Sequence, residues 1–330
     1  MREQSGAPPA ATLPHYLQLG VACVRLSDYP AGEQALARAL EVARVAGDQP
    51  AQAEALSWLS VVALSVGRVD DAEQLLAEAL VLARPLGGAT LARVLIHVTN
   101  HEWQGGKLDE AAQHAEEVRR LAQQLGDVSQ EIAATRALGV VSGLRREFDE
   151  SRRYFETCLG LARQIGDRFQ ESSSESNLGA TKQYAGDFAG AVVHYLAAFE
   201  ADEELGMISR MALNAHNLAD AYATLGQLDE SRRYAVECVR LAGQIGAVPL
   251  QLAALVPLAE VLVKQGQPDR ALTLLGLARH HPSTPKQKEV GINELLAVIQ
   301  LTPEQIEAGL AAGAQLELAA VVAEVLAGQW

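Results

Sequence analysis

One short pattern recurs along almost the whole chain at a fixed interval, and that interval constrains the fold more tightly than composition does. Its clearest copy is the stretch from Leu218 to Ser231, LADAYATLGQLDES. With Gly226 as the marker, the equivalents are Ser27, Gly67, Gly106, Arg146, Gly186 and Gly266, so the successive steps are 40, 39, 40, 40, 40 and 40 residues. A second marker keeps the same interval at Gly47, Gly87, Gly126, Gly166, Gly206 and Gly246, several of them followed by Asp (Asp48, Asp127, Asp167). Two breaks per period, about twenty residues apart, cut the chain into helix-length pieces. A tandem array of helical hairpins results, each burying its apolar face only against its neighbours.

The side chains around the marker fit close helix packing. Eight residues before it stand Leu19, Leu59, Val98, Leu138, Leu178, Leu218 and Leu258, each followed by a small residue: Gly20, Ser60, Thr99, Gly139, Gly179, Ala219 and Ala259. Five residues after it the small set returns as Gly32, Ala72, Ala111, Ser151, Ala191, Ser231 and Ala271. Small residues on both helices of a hairpin let the two axes approach, because a packed interior has no spare volume for a longer side chain.

This ladder of Leu-small, Gly and Ala resembles the tetratricopeptide repeat, most closely from Ala215 to Val239, where Tyr222 supplies an aromatic residue. The likeness covers about residues 13 to 280 and departs from the family in two respects. The period is 40 rather than about 34, and the family's Trp, Tyr and terminal Pro are mostly missing. The resemblance implies an all-α fold, a right-handed α-solenoid of about seven helical hairpins. The longer period resembles repeats in bacterial multidomain signalling and transcription-regulating proteins and in some eukaryotic scaffolds.

Along the chain, residues 1–12, with Ser5, Gly6, Pro8 and Pro9, are expected to be a disordered leader, and 13–280 to hold the seven hairpins. An Asp stands three residues after most markers, at Asp70, Asp109, Asp149, Asp229 and Asp269, and is expected to cap the helix that follows. Pro257 lies inside the first helix of the last hairpin and is expected to kink it. The two prolines of Arg279 to Pro285 mark a linker over 281–285, and 286–330 is expected to be a helical C-terminal cap. Within it Thr302-Pro303-Glu304-Gln305 has the form of a capping box. The run from Leu301 through Gly313 to Leu326 resembles the extreme C-terminus of large bacterial ATP-dependent transcription regulators with a repeat-built sensor.

With 27 Lys and Arg against 41 Asp and Glu, the formal charge of -14 argues against direct binding to nucleic acid. No apolar run approaches membrane-spanning length, and the N-terminal stretch lacks a signal-peptide core, so no membrane is expected as partner and the location expected is cytoplasmic. Cys23, Cys158 and Cys238 lack metal or redox spacing; Cys158 and Cys238 fall on a small position twelve residues after their markers and read as core residues.

Phosphate loops, dinucleotide fingerprints and nucleophile elbows are absent, so neither an enzyme nor a cofactor is expected. His97 and His101, four apart, share a helix face and with Asn100 and Glu102 outline the one metal-like or catalytic alternative, though Val98 and Thr99 fill packing positions and no third ligand is evident. The stronger signal is the polar lining of the first helices, expected to face the concave side. Nine residues before the marker come Gln18, Trp58, His97, Ala137, Asn177, Asn217 and Pro257; six before come Val21, Val61, Asn100, Val140, Ala180, Asp220 and Glu260. Nearby stand Arg93, Arg136, Ser173 and His216. Asn177 and Asn217 can bond the backbone of an extended peptide while Arg93 and Arg136 pair with its carboxylates. Similar asparagine-bearing inner helices occur in repeat proteins that grip peptides, including bacterial pheromone receptors. The expected ligand set is therefore Arg93, His97, Asn100, Arg136, Ser173, Asn177, His216, Asn217 and Asp220, holding a protein or peptide in bacterial signalling or transcription control. The alternatives are a small-molecule or metal sensor, or an assembly scaffold forming homo-oligomers through its ends.

Overall fold

The structure, a computed structural model, describes residues 9–26, 28–284 and 288–330. All regular structure among them is α-helical. In chain order the hairpins are α1 (Pro9–Arg25) and α2 (Tyr29–Ala46), α3 (Gln49–Ser65) and α4 (Val69–Leu86), α5 (Gly88–Gln104) and α6 (Leu108–Leu125), and α7 (Val128–Leu144) and α8 (Phe148–Ile165). They continue with α9 (Arg168–Tyr184) and α10 (Phe188–Glu204), α11 (Ile208–Thr224) and α12 (Leu228–Gln244), and α13 (Val248–Lys264) and α14 (Pro268–His280). Three shorter helices follow: α15 (Lys288–Val298), α16 (Pro303–Gly313) and α17 (Leu318–Leu326). The chain divides into two compact units, Met1–Thr157 and Cys158–Trp330. Each has its own core, around Leu36, Leu56 and Leu95 in the first and around Tyr195, Leu218, Leu252 and Leu272 in the second.

The turns explain the repeat's punctuation. Both glycine markers end a helix in the left-handed region, as at Gly226 (φ 73°) and Gly47 (φ 67°), which suits a residue without Cβ. Arg146 holds the same place with φ 65°. The next residue is already the N-cap, so the Asp residues expected to cap, Asp70, Asp109 and Asp229, instead lie in the first helical turn with no capping bond. There they still face the positive end of the helix dipole. The side chains that do cap are Asp28, Asp48, Asp127, Asp167 and Asp187, each accepting a hydrogen bond from a backbone N-H three residues on.

All fourteen small residues on the two packing positions are buried. A Cβ built on Gly20 would stand 2.5 Å from Leu36, one on Gly139 2.9 Å from the Phe155 ring, and one on Gly179 2.6 Å from the Tyr195 ring. The residue met lies sixteen positions further on, and the two aromatic residues at that place, Phe155 and Tyr195, both stand opposite glycine. Gly139 faces Phe155 and Gly179 faces Tyr195, while the same register pairs Ala219 with Ala235 and Thr99 with Ala115. Where the second small residue is Ser, its hydroxyl donates across the hairpin, from Ser151 to Gly139 O and from Ser231 to Ala219 O, each 2.8 Å.

Several boundaries differ from expectation. Residues 1–8 of the expected leader lie outside the described residues, and α1 already begins at Pro9. α13 runs unbroken through Pro257. Residues 281–284 of the expected linker are non-helical, and 285–287 lie outside the described residues. α16 has the expected capping box at Thr302 and Gln305. It crosses α14 closely enough that a Cβ on Gly276 would run into the Leu310 carbonyl and one on Gly313 into the Thr273 carbonyl. Cys158 and Cys238 are buried core residues. No single described helix is long and apolar enough to cross a membrane.

Candidate functional site

In the first unit, α5 sets Arg93, His97 and Asn100 on one helix face by their spacing of four and three. The His97 ring meets Trp58 of α3 edge-on at 4.6 Å between centroids. Its Nδ1 is buried and has no hydrogen-bond partner. Burial first, and the nearby Arg25 charge second, push the imidazole pKa down to about 4, so it is neutral at pH 7. The Arg93 Nε lies 3.3 Å from Glu54 Oε2, an ion pair whose direction leaves that buried N-H without a hydrogen bond. Asn100 turns back along its own helix, accepting from Trp103 Nε1 at 3.2 Å. A pocket of about 170 Å³ opens beside His97 and Asn100, lined also by Val61, Ser65 and Gln104. Arg25 of α1 stands 5.9 Å from the Trp58 ring centre and, with Gln18, Val21 and Glu54, lines a groove of about 530 Å³.

The metal-like alternative does not assemble. His101 faces Glu73 at 3.3 Å and Glu102 bonds His114 at 2.9 Å, while His97 packs on Trp58. Among the described residues no three His, Cys, Asp or Glu side chains come together as a ligand set.

In the second unit much of the expected lining is engaged internally. The Asn177 amide donates to Ser173 O of its own helix at 2.8 Å, so that donor is spent locally. Asp220 accepts from Gln183 Nε2 at 2.6 Å, and Gln183 in turn accepts from the Tyr195 hydroxyl at 2.9 Å, tying α11 to α9 and α10. His216 is only 7% exposed and belongs to the packing layer rather than an open lining. It occupies the same register as half-buried Arg136 of α7, ten residues before the marker, where Ser57 and Ile96 are also buried. Asn217 remains half-exposed with no side-chain bond among the described residues.

Three features escaped the sequence reading. Fully buried Asp202 accepts from Ser172, from Arg210 Nε at 2.8 Å and from Asn214 Nδ2 at 2.9 Å, a closed network joining α9, α10 and α11. Glu175 receives both His194 at 2.7 Å and Arg163 at 3.0 Å. Arg25 and Glu54 complete the Trp58 cluster, and they were legible: positions 13, 9, 6 and 2 before the marker share one helix face, which places Glu54, Trp58, Arg93, His97, Asn100 and Arg25 in one register.

A family model described as tetratricopeptide repeat matches residues 11–84, and a second with the same description matches residues 215–245. The chain carries tetratricopeptide repeats over those residues. Solved structures show the same fold for this repeat protein at low identity. The apo form of RapI is 13% identical over 92% of this chain and 86% of its own, with a TM-score of 0.67. A Rap protein complexed with Competence and Sporulation Factor is 11% identical over 96% of this chain and the whole of its own, with a TM-score of 0.61. A signal transduction ATPase with numerous domains and a tetratricopeptide-repeat sensor, from Pyrococcus horikoshii, is 19% identical over 86% of this chain, with a TM-score of 0.64. The repeat protein spans 44% of that chain's length. No curated protein sequence matches it.

Proposed function

We propose that this tetratricopeptide-repeat protein is a non-enzymatic module that binds a protein or peptide along the inner register of its odd-numbered helices, serving bacterial signalling or transcription control in the cytoplasm. One contrast carries the reading. Charges on the even-numbered helices of the first unit are spent between consecutive repeats, Arg44 on Glu78 at 2.7 Å and Arg84 on Glu117 at 2.6 Å. The odd-numbered helices instead carry accessible polar groups with unused bonding capacity, Arg25 in the first unit, whose one contact among the described residues is the Trp58 ring, and the Asn217 amide in the second. Polar groups left accessible and unpaired on one register are the ones a ligand can satisfy. The likeness to a Rap fold seen with a bound factor, and to a sensor region, supports the same reading.

Selection of short random peptides displayed on phage against the immobilised chain tests it. Enriched peptides should bind in solution and weaken roughly tenfold, a loss of about 1.4 kcal/mol, in Gln18→Ala or Arg25→Ala, both exposed groove residues of the first unit, with the melting curve unchanged. Enriched peptides that bind both variants as well as the parent remove the odd-numbered helices from the account.

A further inference from the structure

The first helix carries a packing face that the later hairpins keep covered. Counted from the marker, positions 12, 8 and 5 before it hold Ala55, Leu59 and Val62 in the second hairpin and Ala254, Leu258 and Val261 in the last, none more than 9% exposed. The preceding hairpin is what covers them. Gln52, three residues before Ala55, donates to Ala43 O of α2 at 3.2 Å, and Asn214, in the register of Ala55, donates to Asp202 of α10 at 2.9 Å. In α1 the same three places hold His15, Leu19 and Ala22, all exposed, with Leu19 at 45%. Leu26, one turn further on, is 80% exposed. The surface on which one repeat stacks against the one before it thus stands open on α1 among the described residues.

The spacing on that face selects what covers it. His15, Leu19, Ala22 and Leu26 lie four, three and four residues apart, the narrow heptad seam by which single helices pair. Turned end for end, the seam matches itself: Leu19 meets Ala22 and His15 meets Leu26, a large side chain against a small one at the centre. It carries no carboxylate, ammonium or guanidinium that a copy of itself would repel. The far end of the second unit offers no equivalent open face, because α15 to α17 bury Ile292, Leu295, Leu310 and Val321 in its core. We infer that the α1 face binds a second copy of this chain, the two α1 helices packing antiparallel about a two-fold axis between Leu19 and Ala22. A seam of about three turns buries less than the about 800 Å² per partner of a standard interface, so the dimer dissociates on dilution. Ala22 and Leu26 also line the groove beside Arg25, so the second copy borders that groove.

Sedimentation equilibrium of the full chain, from submicromolar to near-millimolar concentration, tests this. The mass should rise from monomer to dimer and stop there. Leu19→Glu sets two carboxylates beside the centre of the seam and should raise the dissociation constant by roughly tenfold or more. Val298→Glu, at a 63% exposed apolar position on α15, should leave it unchanged. Both substitutions fall on exposed side chains, so circular dichroism melts should match the parent. The register has its own readout. Copies carrying Leu19→Cys mixed with copies carrying Ala22→Cys, each also with Cys23→Ser, should form a disulfide-linked heterodimer on mild oxidation, well ahead of Leu26→Cys mixed with Ala22→Cys, because a disulfide needs its Cβ atoms about 4 Å apart. A chain that stays monomeric throughout, one that grows past a dimer, or a dimer indifferent to Leu19→Glu overturns the inference. Cross-linking without preference for the Leu19 and Ala22 pair overturns it as well, and each of these results leaves the peptide-binding reading in place.

Discussion

The packing at Gly179 can be tested as a single steric term. Gly179 of α9 is buried, and a Cβ there would stand 2.6 and 2.7 Å from the Cδ1 and Cε1 atoms of Tyr195, well inside normal contact. The ring is 2% exposed, with its hydroxyl held by Gln183 at 2.9 Å, so it has little room to retreat. Gly179→Ala therefore combines two opposing effects. Replacing a helical glycine by alanine stabilises by about 1 kcal/mol, and forcing a methyl into a filled core costs about 1 to 3 kcal/mol. Gly160 of α8 is an exposed helical glycine whose added Cβ meets nothing within 4 Å, so Gly160→Ala shows the first effect alone. The two substitutions should differ by the steric cost, about 1 to 3 kcal/mol, with Gly160→Ala the more stable protein. Because repeats unfold in units rather than all together, the measurement is hydrogen exchange of α9 and α10 amides alongside urea melts. The register also supplies a rescue. Ala259 tolerates Leu275 at the equivalent pair, so Gly179→Ala should cost less in a Tyr195→Leu background than in the parent. Equal stability of the two alanine variants, or no rescue, would refute the claim that volume is shared between positions sixteen apart.

Four further outcomes follow from single observations. Arg210→Leu strands the fully buried Asp202 carboxylate and should cost about 3 to 5 kcal/mol in urea denaturation, with exchange protection lost first in α9 to α11. Asp48→Ala and Asp127→Ala remove real caps and should each cost about 1 kcal/mol, against about 0.3 kcal/mol for Asp70→Ala, which makes no capping bond. His97 has a folded pKa near 4, below its unfolded value of 6.5. The unfolded chain thus takes up the proton first, and stability should fall as pH drops from about 6.5 to 4, by at most about 3 kcal/mol, a slope that His97→Phe should remove from urea melts across that range. Gly313→Ala drives a methyl into the backbone of α14 at Thr273 and should loosen α16 and α17, seen as faster proteolysis there with the repeats before them intact.

The hairpins were legible because their determinants are local and repeated. A small residue after Leu and another twelve positions beyond it, on either side of a glycine break, report close helix approach without reference to anything distant. The caps were misplaced by two residues because the turn is shorter than assumed: with Gly226 left-handed and Gln227 already the N-cap, nothing separates the glycine from the cap, and Asp229 falls inside the first turn. Helix periodicity sets the face on which Asn177 lies, but face alone does not say whether a side chain reaches outward. Its amide bonds the carbonyl four residues back, a competitor present in every helix. Asp202 was invisible for another reason: its partners Ser172, Arg210 and Asn214 come from two other helices and have no counterpart in the other repeats. A repeat encodes what its copies share, and recognition depends on where they differ. Nine residues before the marker the seven hairpins read Gln, Trp, His, Ala, Asn, Asn and Pro on one common backbone position. The Trp58 and His97 pair exists only because two unlike residues were set one repeat apart, so departures from the period, more than the period itself, locate the surface on which a ligand can be told from others.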